Sequence, residues 1–122
     1  MEKVRDIYLN GSYNPKLSSG SYNIILMDTE DNKDLISKKE YGASVNEILL
    51  KGLLEALSRC SNDSEVVVHT NTSLGWGNTK KSKNKGLLEK IKSICKLRNI
   101  AIDMREKEDL SFLKDLIRSY SL

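Results

Sequence analysis

Val4-Arg5-Asp6-Ile7-Tyr8-Leu9-Asn10-Gly11-Ser12 opens with an apolar run rich in β-branched and aromatic residues and contains an Asn-Gly pair. That composition predicts a strand, broken at Asn10-Gly11. A short apolar run of this kind suits the middle of a sheet covered on both faces. Position 10 would then lie at the end of a central strand, where open α/β sheets gather their chemistry. Asn-Gly is also the strongest hairpin dipeptide. The next strand-like run begins only near Gly20, however, too far away for a two-residue turn.

Outward from this run, Gly11–Ser19 reads as a loop holding the lone proline, Pro15. Ser21–Asp28 reads as a second strand and Asp34–Tyr41 as an edge strand, the pattern of an antiparallel meander. Ser44–Cys60 is the clearest helix. Val45, Ile48, Leu49, Gly52, Leu53, Ala56 and Leu57 recur at helical spacing, and Ser44 with Glu47 makes a capping-box pattern. The small Gly52 and Ala56 would let that helix approach a sheet closely. Glu65–Thr70 is a compact strand, placed parallel to the first because a helix crossover precedes it. Gly86–Leu97 is a second amphipathic helix, Ile100–Met104 a short strand, and Leu110, Leu113, Ile117 and Tyr120 mark a last helix with Asp109 at its N-cap. The expected fold is α/β, in the order β-β-β-α-β-α-β-α, with three antiparallel strands followed by parallel additions, as one domain over residues 1–122.

A chain of 122 residues can bury a core without staples. No run is long and apolar enough for a membrane span, and no signal-peptide pattern opens the sequence. Cys60 and Cys95 each close an apolar helical pattern, which reads as buried free thiols in an intracellular, cytoplasmic protein. The net charge of +3 is unevenly placed. Trp76–Arg98 holds eight Lys/Arg against the single Glu89, so the segment carries +7 and the remainder −4. Such a block is either a solvated lysine-rich face or a contact for a phosphate backbone. Trp76, between Gly75 and Gly77, is either a loop anchor or a stacking platform for a base.

Asn10 ends the first strand, Glu47 lies in the first turn of the first helix, and Asn71 ends the strand Glu65–Thr70. With the element order, this resembles the type 1 ribonuclease H family of two-metal nucleases. The family's strand–Asp–Gly–Ser, its helical Glu and its strand–Thr–Asp–Ser resemble Leu9-Asn10-Gly11-Ser12, Asn46-Glu47-Ile48 and His69-Thr70-Asn71-Thr72. The resemblance spans nearly the whole chain. It implies a fourth carboxylate at the start of the last helix, where Asp109 is the best match and Glu106 and Glu108 compete.

The departures are chemical. Both strand-end aspartates of the family fall on asparagines here. In that family, carboxylates hold two Mg²⁺ ions that activate water and stabilise the leaving oxygen. An amide offers a neutral oxygen and no charge. A charge pair at 4 Å is worth about 4 kcal/mol at an effective dielectric of 20, so losing two weakens metal binding by orders of magnitude even after a solvent discount. Glu47 and Asp109 are then remnants, with no cofactor expected and at most a weak Mg²⁺ or Mn²⁺ site at Glu47, Asp109, Asn10 and Asn71. The family's histidine-bearing loop is missing, and the lone His69 reads as a satisfied strand histidine.

The resemblance and the charge block together suggest a degenerate ribonuclease H-like domain, a pseudoenzyme that binds RNA, DNA or their hybrid. Lys80, Lys81, Lys83 and Lys85 would contact phosphates, Lys90, Lys92 and Lys96 would extend the patch, and Trp76 is a further candidate contact. The rival expectations are a weakly active Mn²⁺-dependent ribonuclease H and a protein-interaction or inhibitor module. An accessory role in a virus or mobile element is the expected setting.

Overall fold

The computed structural model describes residues 3–120, the side chain of Tyr120 excepted. Its elements run β1 (Val4–Asn14), β2 (Ser19–Asp28), β3 (Lys33–Tyr41), α1 (Val45–Ser58), β4 (Glu65–Thr70), a 3-10 helix (Trp76–Lys81), α2 (Lys85–Arg98), β5 (Ala101–Arg105) and α3 (Phe112–Tyr120). One mixed sheet has the order β3-β2-β1-β4-β5, with β1 central. The β1–β2 and β2–β3 pairs are antiparallel, and β4 joins β1, and β5 joins β4, in parallel.

The expected break at Asn10-Gly11 is corrected: β1 runs straight through it. Asn10 stands opposite Asn23 and Gly11 opposite Tyr22. The chain reverses at residues 15–18 instead, where Ser18 takes φ 47°. Gly20 makes this tight pairing possible, since a Cβ there would fall 2.0 Å from the Ser12 carbonyl oxygen. Much of the expected Gly11–Ser19 loop is therefore strand.

The sheet is covered unequally. On one face α1 and α2 bury Ile7, Leu9, Ile24, Leu26, Val66 and Val68. Ser44 caps α1 by accepting the Glu47 N–H. Gly52 of α1 lies against Tyr22, where a Cβ would meet the ring at 3.0 Å, so this helix does sit close on the sheet. Arg98 ties the end of α2 to the end of α1 by donating to the carbonyl oxygens of Leu57 and Cys60. Cys60 and Cys95 are free and buried, and burial pushes the Cys60 thiol up to about 11. On the other face α3 covers only Tyr8, Ile25 and Leu35, with Leu110 and Leu113. The N-cap expectation for Asp109 is also corrected. Its carboxylate accepts the Ser111 N–H at 3.0 Å in the turn before α3, which begins three residues later. Among the described residues, no helix is long and apolar enough to cross a membrane.

Candidate functional site

Strand alternation decides what the open face presents. Tyr8 packs under α3, so Asp6 and Asn10 point to the same side. In β4, His69 pairs with Tyr8 and stacks on its ring at 4.4 Å, and Asn71 follows two residues later on that side. The outcome is a hollow of about 260 Å³ beside the middle of β1, just past the end of β4. Asn10, Asn71, Glu108, Asp109, Ser111 and Lys114 stand in its wall.

Within the hollow, neither the Asn10 nor the Asn71 amide has a hydrogen-bond partner among the described residues, so both keep their donors and acceptors for a ligand. Asp109 is exposed, and the backbone and side chain of Ser111 hold its carboxyl below the usual value. Its two rivals are committed elsewhere. Glu106 accepts the Leu74 N–H, and Glu108 reaches the ring of His69 at 2.8 Å.

Glu47 is not brought to the hollow. Its carboxylate turns back to the Ala43 N–H at 2.5 Å, beside Gly42. The α1 side chain that faces the end of β4 is its neighbour, Asn46. The Asn46 oxygen accepts the Thr72 hydroxyl at 3.3 Å, and its nitrogen donates to the Ser73 carbonyl at 3.1 Å. One residue is about 100° of helical turn, enough to swing a side chain off the site. The Ser44–Glu47 pattern is the available signal: Ser44 caps the Glu47 N–H, and the Glu47 carboxylate turns back towards the start of the helix, to the Ala43 N–H rather than to the Ser44 N–H of a closed capping box.

The donor set does not suit a pair of divalent ions. The hollow supplies two neutral amides, the carboxylates of Asp109 (bonded by Ser111) and Glu108 (bonded to His69), and the lysine Lys114, and among the described residues no group of three His, Cys, Asp or Glu is placed to hold a metal. Hard cations want several anionic oxygens. A lysine in the wall favours an anion instead.

Beyond β4 the chain becomes basic. Lys80 and Lys81 end the 3-10 helix, Lys83 is exposed, and Lys85 opens α2 with its ammonium 3.9 Å from Glu89. Lys81 also borders a second hollow of about 310 Å³ shared with Asn46, Ser73 and Asn78, adjoining the end of β4. Lys92 does not extend this strip. Its ammonium lies 4.7 Å over the Trp76 ring and donates to the Trp76 carbonyl and the Thr79 hydroxyl, each at 2.7 Å. Trp76 is half-buried against the core, so it anchors the segment. Lys90 and Lys96 remain exposed on α2.

No family model and no curated protein matches the sequence. Solved structures do match. LC11-RNase H1, isolated from compost by a metagenomic approach, superposes with a TM-score of 0.67 at 18% identity, over 95% of this chain and 93% of that one. LC11-RNase H1 in complex with an RNA/DNA hybrid superposes with a TM-score of 0.64 at 19% identity, over 89% of each chain. Identity at this level speaks for architecture alone, and the superposition over nearly the whole length of both chains shows it: this chain has the ribonuclease H-like fold.

Proposed function

We propose that this chain is a ribonuclease H-like nucleic-acid-binding domain that does not cut its ligand by the two-metal route. The observation that carries the reading is the hollow itself. Where hydrolysis would need an anionic nest, Asn10 and Asn71 present neutral amides beside Lys114, and Glu47 is engaged with Ala43. Lysines 80, 81, 83 and 85 supply positive charge on the strip beyond β4, which is the chemistry for phosphates. Because LC11-RNase H1 has been solved with an RNA/DNA hybrid, a hybrid is the first ligand to try.

Fluorescence anisotropy with a labelled hybrid, in Mg²⁺, Mn²⁺ or EDTA, tests this directly, with the strands then run on a denaturing gel. The expected result is binding that weakens steeply with salt and leaves the strands intact. Absence of binding at low salt overturns the proposal. So does metal-dependent cleavage that Glu47→Gln abolishes. A protein partner retained through nuclease treatment and high salt would replace it with an interaction module.

A further inference from the structure

The sheet ends in two unlike edges. At one end β3 carries the exposed Lys33, Lys38 and Lys39, the kind of charge that keeps a free edge from pairing. At the other end β5, Ala101-Ile102-Asp103-Met104-Arg105, has no lysine. In a parallel ladder alternate residues of a strand bond to the same neighbour. Ala101 donates its N–H to the Ser64 carbonyl at 2.9 Å, and β5 continues in register along β4, so Asp103 and Arg105 also turn their backbone groups inward. The N–H and C=O groups of Ile102 and Met104 therefore point out along the free edge.

The side chains of β5 suit another strand at this edge. Ile102 and Met104 are half-buried and pack against the core from the helix side. On the open side the small Ala101 and Val67 leave a depression of about 420 Å³, with Asp103 in its wall. Asp103 and Arg105 are both exposed there, and Arg105 donates to Asp103 from Nε at 3.0 Å and from Nη2 at 2.7 Å. A guanidinium has more N–H groups than this pair uses, so Arg105 keeps donors for a second carboxylate.

The order Asp103-Met104-Arg105 is self-complementary under a two-fold axis. Two β5 strands laid antiparallel with Met104 on the axis set Asp103 of each copy opposite Arg105 of the other. Met104 then exchanges both backbone hydrogen bonds with Met104 of the second copy. The charged pairs fall at the non-hydrogen-bonded positions, where side chains come closest. An axis through Asp103 would instead put like carboxylates face to face, so the charges also select the register. We infer that this edge is a self-association surface, where a second copy of the chain adds its β5 antiparallel in the Met104-centred register and joins the two sheets into one. The axis stands perpendicular to the sheet, so both open faces lie on the same side of the dimer. A strand from an unrelated protein would find the same backbone groups, but only a second copy brings Arg and Asp at the matching spacing. The inference goes beyond the nucleic-acid reading and does not rest on it.

Sedimentation equilibrium of the protein alone, free of nucleic acid and at low salt, tests this. One short strand per copy is a small contact, so the unaltered protein should show a monomer–dimer equilibrium with a dissociation constant on the order of 100 µM. Arg105→Asp alone and Asp103→Arg alone each set like charges face to face, and each should weaken the dimer at least about tenfold. An equimolar mixture of the two variants should associate about as well as the unaltered protein, because every contact between positions 103 and 105 again joins opposite charges. Association regained in the mixture also shows that both variants are folded. A protein that stays monomeric up to about 1 mM overturns the inference. So does a dimer that neither variant weakens, or one that the mixture fails to restore.

Discussion

His69 Nδ1 lies 2.8 Å from Glu108 Oε2 while its Nε2 lies 2.9 Å from Asp6 Oδ1, so a single ring on β4 joins the central strand to the connector before α3. Tyr8 stacks on the ring, and Phe112 of α3 meets Tyr8 edge-on. Removing the ring leaves two carboxylates facing the same space with no shared donor. His69→Ala should therefore cost about 2 kcal/mol, between a lost charge-assisted hydrogen bond and a broken buried pair. Glu108→Gln keeps an acceptor and should cost less than about 1 kcal/mol. Urea unfolding measures both, and hydrogen exchange in the first variant should quicken in α3 before the sheet.

The same cluster sets a response to acid. Burial pushes the Asp6 carboxyl up, but its hydrogen bonds to Arg5 and His69 together outweigh this and leave it below its ordinary value of 3.8. A carboxyl depressed in the folded state releases its proton more readily there than in the unfolded chain. Its stabilisation is therefore complete above the unfolded value and lost as pH falls through the folded one. Asp6→Asn should be less stable than the unaltered protein at neutral pH, with the gap closing only well below pH 4. A gap unchanged down to the acid limit would mean that Asp6 is not the responsive group.

Lysines in the basic segment divide by what they touch. Lys92 is spent on Trp76 and Thr79, whereas Lys80, Lys81 and Lys83 are exposed. Lys92→Met should shift tryptophan fluorescence to the red as the indole loosens, with little change in the salt slope of hybrid binding. Lys80→Ala, Lys81→Ala and Lys83→Ala together should leave the fluorescence alone and lower the slope by roughly 2–3, near one unit per lost phosphate contact. A slope change on Lys92→Met alone would contradict this division.

Strands, helices and their order were legible because each buried face repeats at its own period. A dipeptide rule marks Asn10-Gly11 as a break because it weighs local turn preference, while pairing with β2 through both residues, and with β4 up to Leu9, holds β1 extended. What fixes the hairpin is Gly20, whose hydrogen alone fits against Ser12, and no local pattern announces that contact. Gly20→Ala should cost about 3 kcal/mol, the upper end for overpacking, and would show as a lower urea midpoint. The helical carboxylate shows the same dependence on contacts: Glu47 turns to Ala43, while Asn46, one residue earlier and about 100° away around the helix, meets Thr72 and Ser73.

That difference of angle predicts how the hollow would respond to restored charge. Asn10→Asp with Asn71→Asp would place four carboxylates, counting Glu108 and Asp109, around the space that Lys114 borders. An exposed hollow discounts Coulomb attraction heavily, so each new carboxylate should raise Mn²⁺ affinity by about tenfold rather than by the full contact energy. Isothermal titration should detect the ion in the double variant at millimolar concentration and nothing with the unaltered protein. Glu47→Gln in that background should change little, because the Glu47 carboxylate serves Ala43. Lys114→Ala should strengthen binding, since it removes a like charge from the wall. If Glu47→Gln instead abolished Mn²⁺ binding, the side chain would have to swing away from Ala43 to reach the ion, and the hollow's neutral character would be a property of one rotamer rather than of the sequence.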